Sequence, residues 1–238
     1  MINTTNQFTQ MDYDAILEQF KNLSDEKFKK FHEALIPGVK TAYGVRVPQM
    51  RAIAKDIIKN DPQRFLDRCK DTTFEEIQLH GFVIAGLKVP LSEKLPFIAA
   101  FIPLIDNWAI CDTFSFKVKE TEKPLLWDFV QGYFDSNKTY DVRYAVVTGL
   151  PNFITDGYID AYLEKLAAII HEDYYVKMAV AWAICDCFIK QRDKTDALLS
   201  AKTLDPWTQN KAIQKCRESR RVSDADKEYL LGLKLPLR

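Results

Sequence analysis

The chain has 238 residues, and its 33 basic and 33 acidic side chains give a formal net charge of zero. Hydrophobic residues make up 47% and charged residues 28%, a globular balance that excludes a disordered or collagen-like chain. The sequence has only 8 glycines and contains neither G-x-G-x-x-G nor G-x-x-x-x-G-K-[ST], which argues against a common nucleotide-binding enzyme. At this length we expect one large domain or a single array of repeats.

The N-terminal residues Met1 to Met11 are polar and uncharged, unlike a signal peptide, and we expect residues 1–10 to form a poorly ordered extension of a single domain, 1–238. The longest apolar run, Phe97 to Ile105, is too short to span a bilayer, so we expect no membrane association. The cysteines and histidines form no zinc or C-x-x-C signature, which favours reduced, buried thiols in a cytoplasmic protein.

Apolar residues recur at helical spacing almost throughout, without sustained alternation, so an all-α fold of about thirteen helices is expected. One apolar stripe is formed by Met50, Ile53, Ala54, Ile57 and Ile58, and another by Ile159, Leu163, Leu166, Ala167 and Ile170. Helix starts are predicted at Pro48, Pro62, Pro124 and Pro206, at a capping box of Thr73 with Glu76, and after the N-caps Ser24, Ser92 and Ser223.

Similar helices recur at a spacing of 33 or 34 residues. Their predicted starts are Phe74, Asn107, Tyr140, Tyr174 and Trp207, and each helix is followed by a partner. Paired helices at this period are typical of an α-solenoid of HEAT-like repeats, although a plain helical bundle stays open. In a solenoid, the first helix of each pair would line a concave face.

The first candidate site is the segment Asp106–Asp112, in which Trp108 and Asp112 lie four residues apart and share one helix face. A carboxylate beside an aromatic ring suits a cationic ligand, because the ring quadrupole and the formal charge both favour positive charge. The alternative is a core tryptophan, with Asp112 capping or pairing locally.

Two further candidates follow at the repeat spacing. Arg143 lies near the start of the next helix, where a guanidinium can hold a phosphate; the alternative is a surface arginine paired with Asp141 or Asp112. Trp182 lies in a run of small residues that comes after Lys177. The alternative is that Trp182 is a buried core residue. Because these residues fall in successive repeats, we expect them to converge with the first pair on one groove.

The fourth candidate is the basic segment Trp207–Arg221, which has five basic residues and one acidic residue in an otherwise neutral chain. Such a segment suggests a local footprint for a polyanion, whereas a solvated helix face is the alternative. Its basic members are Lys211, Lys215, Arg217, Arg220 and Arg221.

Together these residues resemble the AlkD-type DNA alkylation repair family of HEAT-like repeat proteins. Tyr43–Arg51 resembles the family's early G-V-R-x-P-x-x-R element, Asn107–Asp112 matches its W-x-x-x-D site, and Arg143 and Trp182 match its later arginine and tryptophan. A closing segment, Asn210–Val222, is also similar, and the resemblance runs from about Phe28 to Lys234.

The resemblance implies a monofunctional DNA glycosylase that excises positively charged alkylpurines, such as N3-methyladenine and N7-methylguanine, from double-stranded DNA. It implies that no metal or organic cofactor is needed and that Asp112, Trp108, Trp182 and Arg143 form the catalytic site. We also expect a monomer. Arg46, Arg51, Lys177 and the basic segment would bind DNA along the concave face. The family also places an aromatic residue on an early helix, for which the sequence offers Phe28, Phe31 and His32.

Two other functions stay open at this point. One is a non-catalytic HEAT-like binder of damaged or branched DNA, which would use the same groove to recognise shape. The other is a scaffold for protein partners, since helical repeats often bind peptides or proteins and the neutral overall charge permits it.

Overall fold

The computed structural model describes residues 10–36 and 38–236. Within these ranges the chain forms fourteen α-helices, two short 3-10 helices and no strand, so the all-α fold is confirmed. The α-helices are α1 (Gln10–Asn22), α2 (Glu26–Leu35), α3 (Val47–Asn60), α4 (Pro62–Leu66), α5 (Phe74–Gly86), α6 (Leu91–Phe101), α7 (Trp108–Thr113), α8 (Lys123–Phe134), α9 (Thr139–Asn152), α10 (Ile159–Ala168), α11 (Tyr174–Lys190), α12 (Arg192–Ala201), α13 (Pro206–Glu218) and α14 (Asp224–Leu231). None of these helices combines the length and hydropathy that crossing a lipid bilayer requires.

The chain divides into two compact units, Met1–Phe114 and Ser115–Arg238. The first contains α1–α7 and the second contains α8–α14. The prediction of one continuous domain with a concave face stays a prediction. Of the predicted N-terminal extension, residues 1–9 lie outside the described residues, and Gln10 is the first residue of α1.

The predicted helical repeat is confirmed. The first helices of successive pairs, α5, α7, α9, α11 and α13, begin at Phe74, Trp108, Thr139, Tyr174 and Pro206, each within one residue of its predicted start. Their partners α6, α8, α10, α12 and α14 follow in order. Within the second unit α11 packs against both α9 and α13, so neighbouring repeats share one buried core, as in an α-solenoid.

Proline and capping residues set most helix starts as predicted. Proline occupies one of the first two positions of α3, α4, α8 and α13, where its missing N–H costs no hydrogen bond. Ser223 caps α14 by accepting a hydrogen bond from the Asp226 N–H at 3.1 Å. The Thr73 hydroxyl accepts from the Glu76 N–H at 3.3 Å, while the Glu76 carboxylate accepts from Tyr13 and Thr72.

Two predicted caps are wrong. Asp25, not Ser24, caps α2, because its carboxylate accepts from the Phe28 N–H at 2.9 Å while the Ser24 hydroxyl donates to the Tyr43 carbonyl. At α6 the flanking residue is Pro90, and Ser92 lies inside the helix.

The core of the first unit lies where α3 packs on α5. The predicted α3 stripe faces this core: Met50, Ile53, Ala54 and Ile57 are buried, and Ile58 packs against them. Burial of a methionine or isoleucine side chain such as these contributes about 1.5–3 kcal/mol of transfer free energy.

The second predicted stripe, on α10, is correct over Ile159, Leu163 and Leu166, which are buried. It is wrong at Ile170, which is 94% exposed and lies beyond the end of α10 at Ala168. Tyr162 lies on the same helix and fits against Gly149 of α9, where a Cβ atom would stand 2.2 Å from its ring. The Tyr162 hydroxyl donates to the Val146 carbonyl at 2.6 Å, so this close approach also satisfies the buried phenol.

Candidate functional site

The helix α7 carries the first candidate pair, and Asn107 sets its start. The Asn107 side chain is buried, accepts from the Ile110 N–H at 3.0 Å and donates to the Asp106 carboxylate at 2.7 Å. This N-cap bond satisfies one of the helix's unpaired first-turn donors. The short helix therefore begins at a fixed residue, which also fixes the direction of Trp108.

Trp108 and Asp112 lie on the solvent side of α7. Ala109, Ile110 and Cys111 are buried, whereas Trp108 and Asp112 are both half-buried. Residues at this spacing place their Cβ atoms about 5–6 Å apart. An indole and a carboxylate thus stand one turn apart, in contact with both protein and solvent, which is an arrangement suited to a cation.

The C-terminal end of α7 is held by two residues of the first unit. Arg51 donates from Nη2 to the Thr113 carbonyl at 3.2 Å, and its guanidinium lies 4.3 Å from the centre of the Phe82 ring. Gln78 donates to the Thr113 hydroxyl at 3.4 Å. A cation at a helix C-terminus is favoured by the helix dipole. Sequence reasoning assigned Arg51 to DNA and missed this contact, which no spacing rule reveals.

The segment Tyr43–Arg51 is anchored by a buried carboxylate. Glu75 is 1% exposed and accepts three backbone hydrogen bonds, from the N–H groups of Ala42, Tyr43 and Gly44, at 2.7–3.0 Å. Gly44 has a φ of +70°, and a Cβ there would stand 2.7 Å from the Asp25 carbonyl oxygen. The early motif therefore needs its glycine, because only glycine fits both the backbone angle and the space.

Arg46, a predicted DNA ligand, is bound within the first unit. Its Nη2 atom lies 2.8 Å from Asp25 Oδ2, and its guanidinium lies 4.8 Å from the centre of the Phe28 ring. The pKa of Asp25 is lowered, first by the hydrogen bond from the Phe28 N–H and then by the bond from Arg46. Half of the Arg46 side chain stays exposed, so a DNA contact stays a prediction.

The family's aromatic residue on an early helix could not be assigned from the sequence. Its three candidates, Phe28, Phe31 and His32, all lie on α2. Phe28 and His32 stack at 5.3 Å, and His32 meets Phe74 edge-on at 5.0 Å. Phe31 is 60% exposed. It is therefore the ring of the three that presents most of its surface to solvent.

In the second unit, Arg143 is 4% exposed, so its expected surface position is wrong, whereas its pairing with Asp141 or Asp112 stays a prediction. Its Nη1 atom donates to the Tyr175 carbonyl at 2.6 Å, which connects α9 to the first turn of α11. Asp141, near the start of α9, accepts a hydrogen bond from the Ser136 hydroxyl at 2.8 Å. The predicted phosphate contact of Arg143 stays a prediction.

On α11, Trp182 is half-buried beside the fully buried Ala181 and Ala183, so it is not a sealed core residue. Lys177 is paired with Glu172 at 3.0 Å. The four predicted catalytic residues thus belong to different units, with Trp108 and Asp112 in the first and Arg143 and Trp182 in the second. Their convergence on one groove stays a prediction.

The basic segment lies on α13 and the turn that follows it. Arg217, Arg220 and Arg221 are exposed, and Lys211 and Lys215 are half-buried. Lys211 donates to Gln214 at 2.7 Å and lies 5.5 Å from the centre of the Trp207 ring. Arg221 approaches Asp186 at 3.6 Å, a carboxylate outside the segment that offsets part of its charge.

Comparison with known proteins gives one match. No curated protein and no solved structure matches the chain. The family model described as "DNA alkylation repair enzyme" matches residues 16–216, which covers most of both units and every predicted catalytic residue. The chain therefore belongs to the DNA alkylation repair enzyme family, whose role is the repair of alkylated DNA.

Proposed function

We propose that this protein is a DNA glycosylase that removes positively charged alkylpurines, such as N3-methyladenine and N7-methylguanine, from double-stranded DNA. The observation that supports it most is the pair on α7, where a half-buried indole and a half-buried carboxylate stand one turn apart. The family match supplies the substrate class, alkylated DNA.

The chemistry of this substrate fits a site without a general acid. A cationic alkylated base is already a good leaving group, so the glycosidic bond can break without protonation or a Lewis acid. Positive charge then develops on the deoxyribose, as in other glycoside cleavage reactions. A fixed carboxylate at Asp112 stabilises that charge and orients the attacking water. The reaction as proposed needs no metal.

The remaining site residues would bind the sugar and its flanking backbone. Trp108 and Trp182 pack against the deoxyribose, and their ring faces also favour its positive charge. Arg143 fixes the first turn of α11 through the Tyr175 carbonyl, and it would also hold a phosphate near the lesion.

The DNA backbone further from the lesion would be bound through the negative charge of its phosphates. The residues that we assign to phosphate contacts are Arg46, Arg51, Lys177, Lys211, Lys215, Arg217, Arg220 and Arg221. Within the basic segment, Arg217, Arg220 and Arg221 are exposed, whereas Lys211 and Lys215 are half-buried. Such contacts set affinity and register without reading sequence. We propose that the protein acts as a monomer on duplex DNA.

The direct test is base release by the wild-type protein. Duplex DNA carrying N7-methylguanine is incubated with the full chain, and free bases are measured by mass spectrometry. Unmethylated duplex of the same sequence is the control. We expect time-dependent release of 7-methylguanine from the methylated duplex only. Binding of that duplex without any base release would contradict the proposal.

The second candidate is a non-catalytic binder of damaged or branched DNA. It is favoured by Arg143, whose guanidinium is buried and bonded to the Tyr175 carbonyl rather than exposed to solvent. This function predicts salt-dependent binding of methylated DNA with no free base, and binding that is insensitive to Asp112→Asn. The same base-release assay therefore separates the two candidates.

A further inference from the structure

Cys69, Asp71 and His80 bring a thiol, a carboxylate and an imidazole together in the first unit, apart from α7. One ligand atom from each lies within 4.8 Å of the other two. All three side chains are half-buried, so each retains some contact with solvent. We propose that these three residues, the Cys69 cluster, bind a thiophilic divalent cation of the Zn²⁺ class.

The backbone brings the carboxylate to the imidazole. Cys69 and Asp71 lie in the connection between α4 and α5, and His80 lies in α5. Asp71 adopts a φ of +52°, a left-handed conformation that side chains other than glycine seldom take. Both Asp71 carboxylate oxygens stand 3.0 Å from His80 Nδ1. The unfavourable φ of Asp71 thus occurs where it orients the Asp71 carboxylate toward the His80 imidazole.

Two aromatic rings hold the imidazole in place. His80 meets Phe101 edge-on at 5.1 Å and Phe65 edge-on at 6.5 Å. The ring is therefore packed by apolar groups, while its Nδ1 edge faces the carboxylate of Asp71. An apolar shell around a site lowers the local dielectric constant and strengthens the attraction between a cation and its ligands.

The electrostatics of the cluster also favour a cation. Asp71 lies within the cluster, and the negative charge of its carboxylate would stabilise a bound divalent cation. On binding, the thiol releases its proton to solvent and the thiolate becomes the ligand, as cysteine ligands of zinc do.

The donor set selects the class of cation. Sulfur, nitrogen and oxygen donors together suit Zn²⁺ and its transition-metal neighbours, whereas Mg²⁺ and Ca²⁺ prefer oxygen alone. Zinc bonds of about 2.0–2.3 Å in a tetrahedron place neighbouring ligand atoms about 3.3–3.6 Å apart. Metal binding would require side-chain rotations that bring the ligand atoms from within 4.8 Å to that spacing, and water would fill the fourth position. The site braces the α4–α5 connection and takes no part in the proposed base release.

The test is titration of the full-length, reduced chain with Co²⁺, which reports a thiolate ligand through a charge-transfer band in the near ultraviolet. We expect a saturable band that Zn²⁺ displaces. Cys69→Ser should abolish the band, and Asp71→Asn or His80→Gln should weaken binding by about tenfold or more. Asp67→Asn is the matched control, because it removes a nearby carboxylate that is outside the cluster, and it should keep the band.

Two results would overturn the proposal: the absence of a saturable band in the wild type, or a band that persists in Cys69→Ser. Because a variant can fail to fold, a second measurement uses the wild type alone. Zn²⁺ should slow alkylation of Cys69, measured by peptide mass spectrometry, whereas equal labelling with and without Zn²⁺ would contradict the site. Neither readout depends on glycosylase activity.

Discussion

The guanidinium of Arg51 donates a hydrogen bond to the carbonyl oxygen of Thr113, 3.2 Å away, and so connects α3 to the last residue of the helix that carries Asp112. Arg51 is therefore more than a positive charge on the surface. Asn107 caps the N-terminal end of α7, and Arg51 holds its C-terminal end. Arg51 thereby helps to position the proposed catalytic carboxylate of Asp112.

Arg51→Met should lower the rate constant of base release by about tenfold, because α7 loses a charged hydrogen bond of about 1.5–3 kcal/mol. The effect should fall on kcat more than on KM, since the position of Asp112 matters most in the transition state. The matched control is Arg68→Met, which removes the same charge from an exposed site of the same unit. If both variants lose the same DNA affinity and neither loses kcat, Arg51 acts only through its charge.

Glu75→Gln should destabilise the fold by roughly 2–3 kcal/mol, because one amide oxygen replaces a carboxylate that accepts three backbone N–H groups. The measurement is urea unfolding followed by circular dichroism. Glu93→Gln on the exposed face of α6 is the control and should change stability by less than about 0.5 kcal/mol. Equal stability of the two variants would rule out the anchoring role of Glu75.

Gly149→Ala should destabilise the second unit by about 1–3 kcal/mol, because the added methyl group would overlap the Tyr162 ring. Gly132→Ala in α8 is a matched control, since a Cβ there meets no atom within 4 Å. That control should be neutral or stabilising by up to about 1 kcal/mol, as alanine is the better helix former. Chemical unfolding of both variants measures the difference, and a loss in Gly132→Ala as large as that in Gly149→Ala would refute the packing argument.

The Asp25 carboxylate predicts a pH dependence. Its pKa is lowered in the folded protein, first by the Phe28 N–H and then by Arg46. Its stabilising effect is therefore complete above the ordinary aspartate pKa of 3.8 and is lost as pH falls through the lower folded value. Asp25→Asn should lose stability at neutral pH and show a shallower decline below pH 3.8. Unfolding curves at a series of pH values test this, and parallel declines would contradict it.

The sequence predicted the helices well because their signals are local. Prolines in the first turn, the Asn107–Trp108 start and the apolar stripe of α3 depend on neighbouring residues only. Local signals also explain the wrong cap of α2. Ser24 and Asp25 are adjacent residues that can both cap a helix, and only the folded structure determines which one does. Ile170 was misplaced because a periodic pattern does not show where a helix ends.

The site residues were harder to predict because their environments come from distant parts of the chain. Arg143 donates a hydrogen bond to the Tyr175 carbonyl, 32 residues away, and Arg51 donates one to the Thr113 carbonyl, 62 residues away. The Cys69 cluster was missed because its members have no zinc-motif spacing. Cys69 and His80 come together through the left-handed turn at Asp71, which sequence spacing does not reveal.

The most direct test of the central claim is the single-turnover rate of base release by Asp112→Asn, measured on duplex DNA with one N7-methylguanine. The exposed residue Asp128 provides the matched control, Asp128→Asn. We predict that Asp112→Asn slows release by about a hundredfold or more while the Kd for that duplex changes little. Asp128→Asn should behave as the wild type does. If Asp112→Asn releases the base at the wild-type rate, the carboxylate has no part in the chemistry.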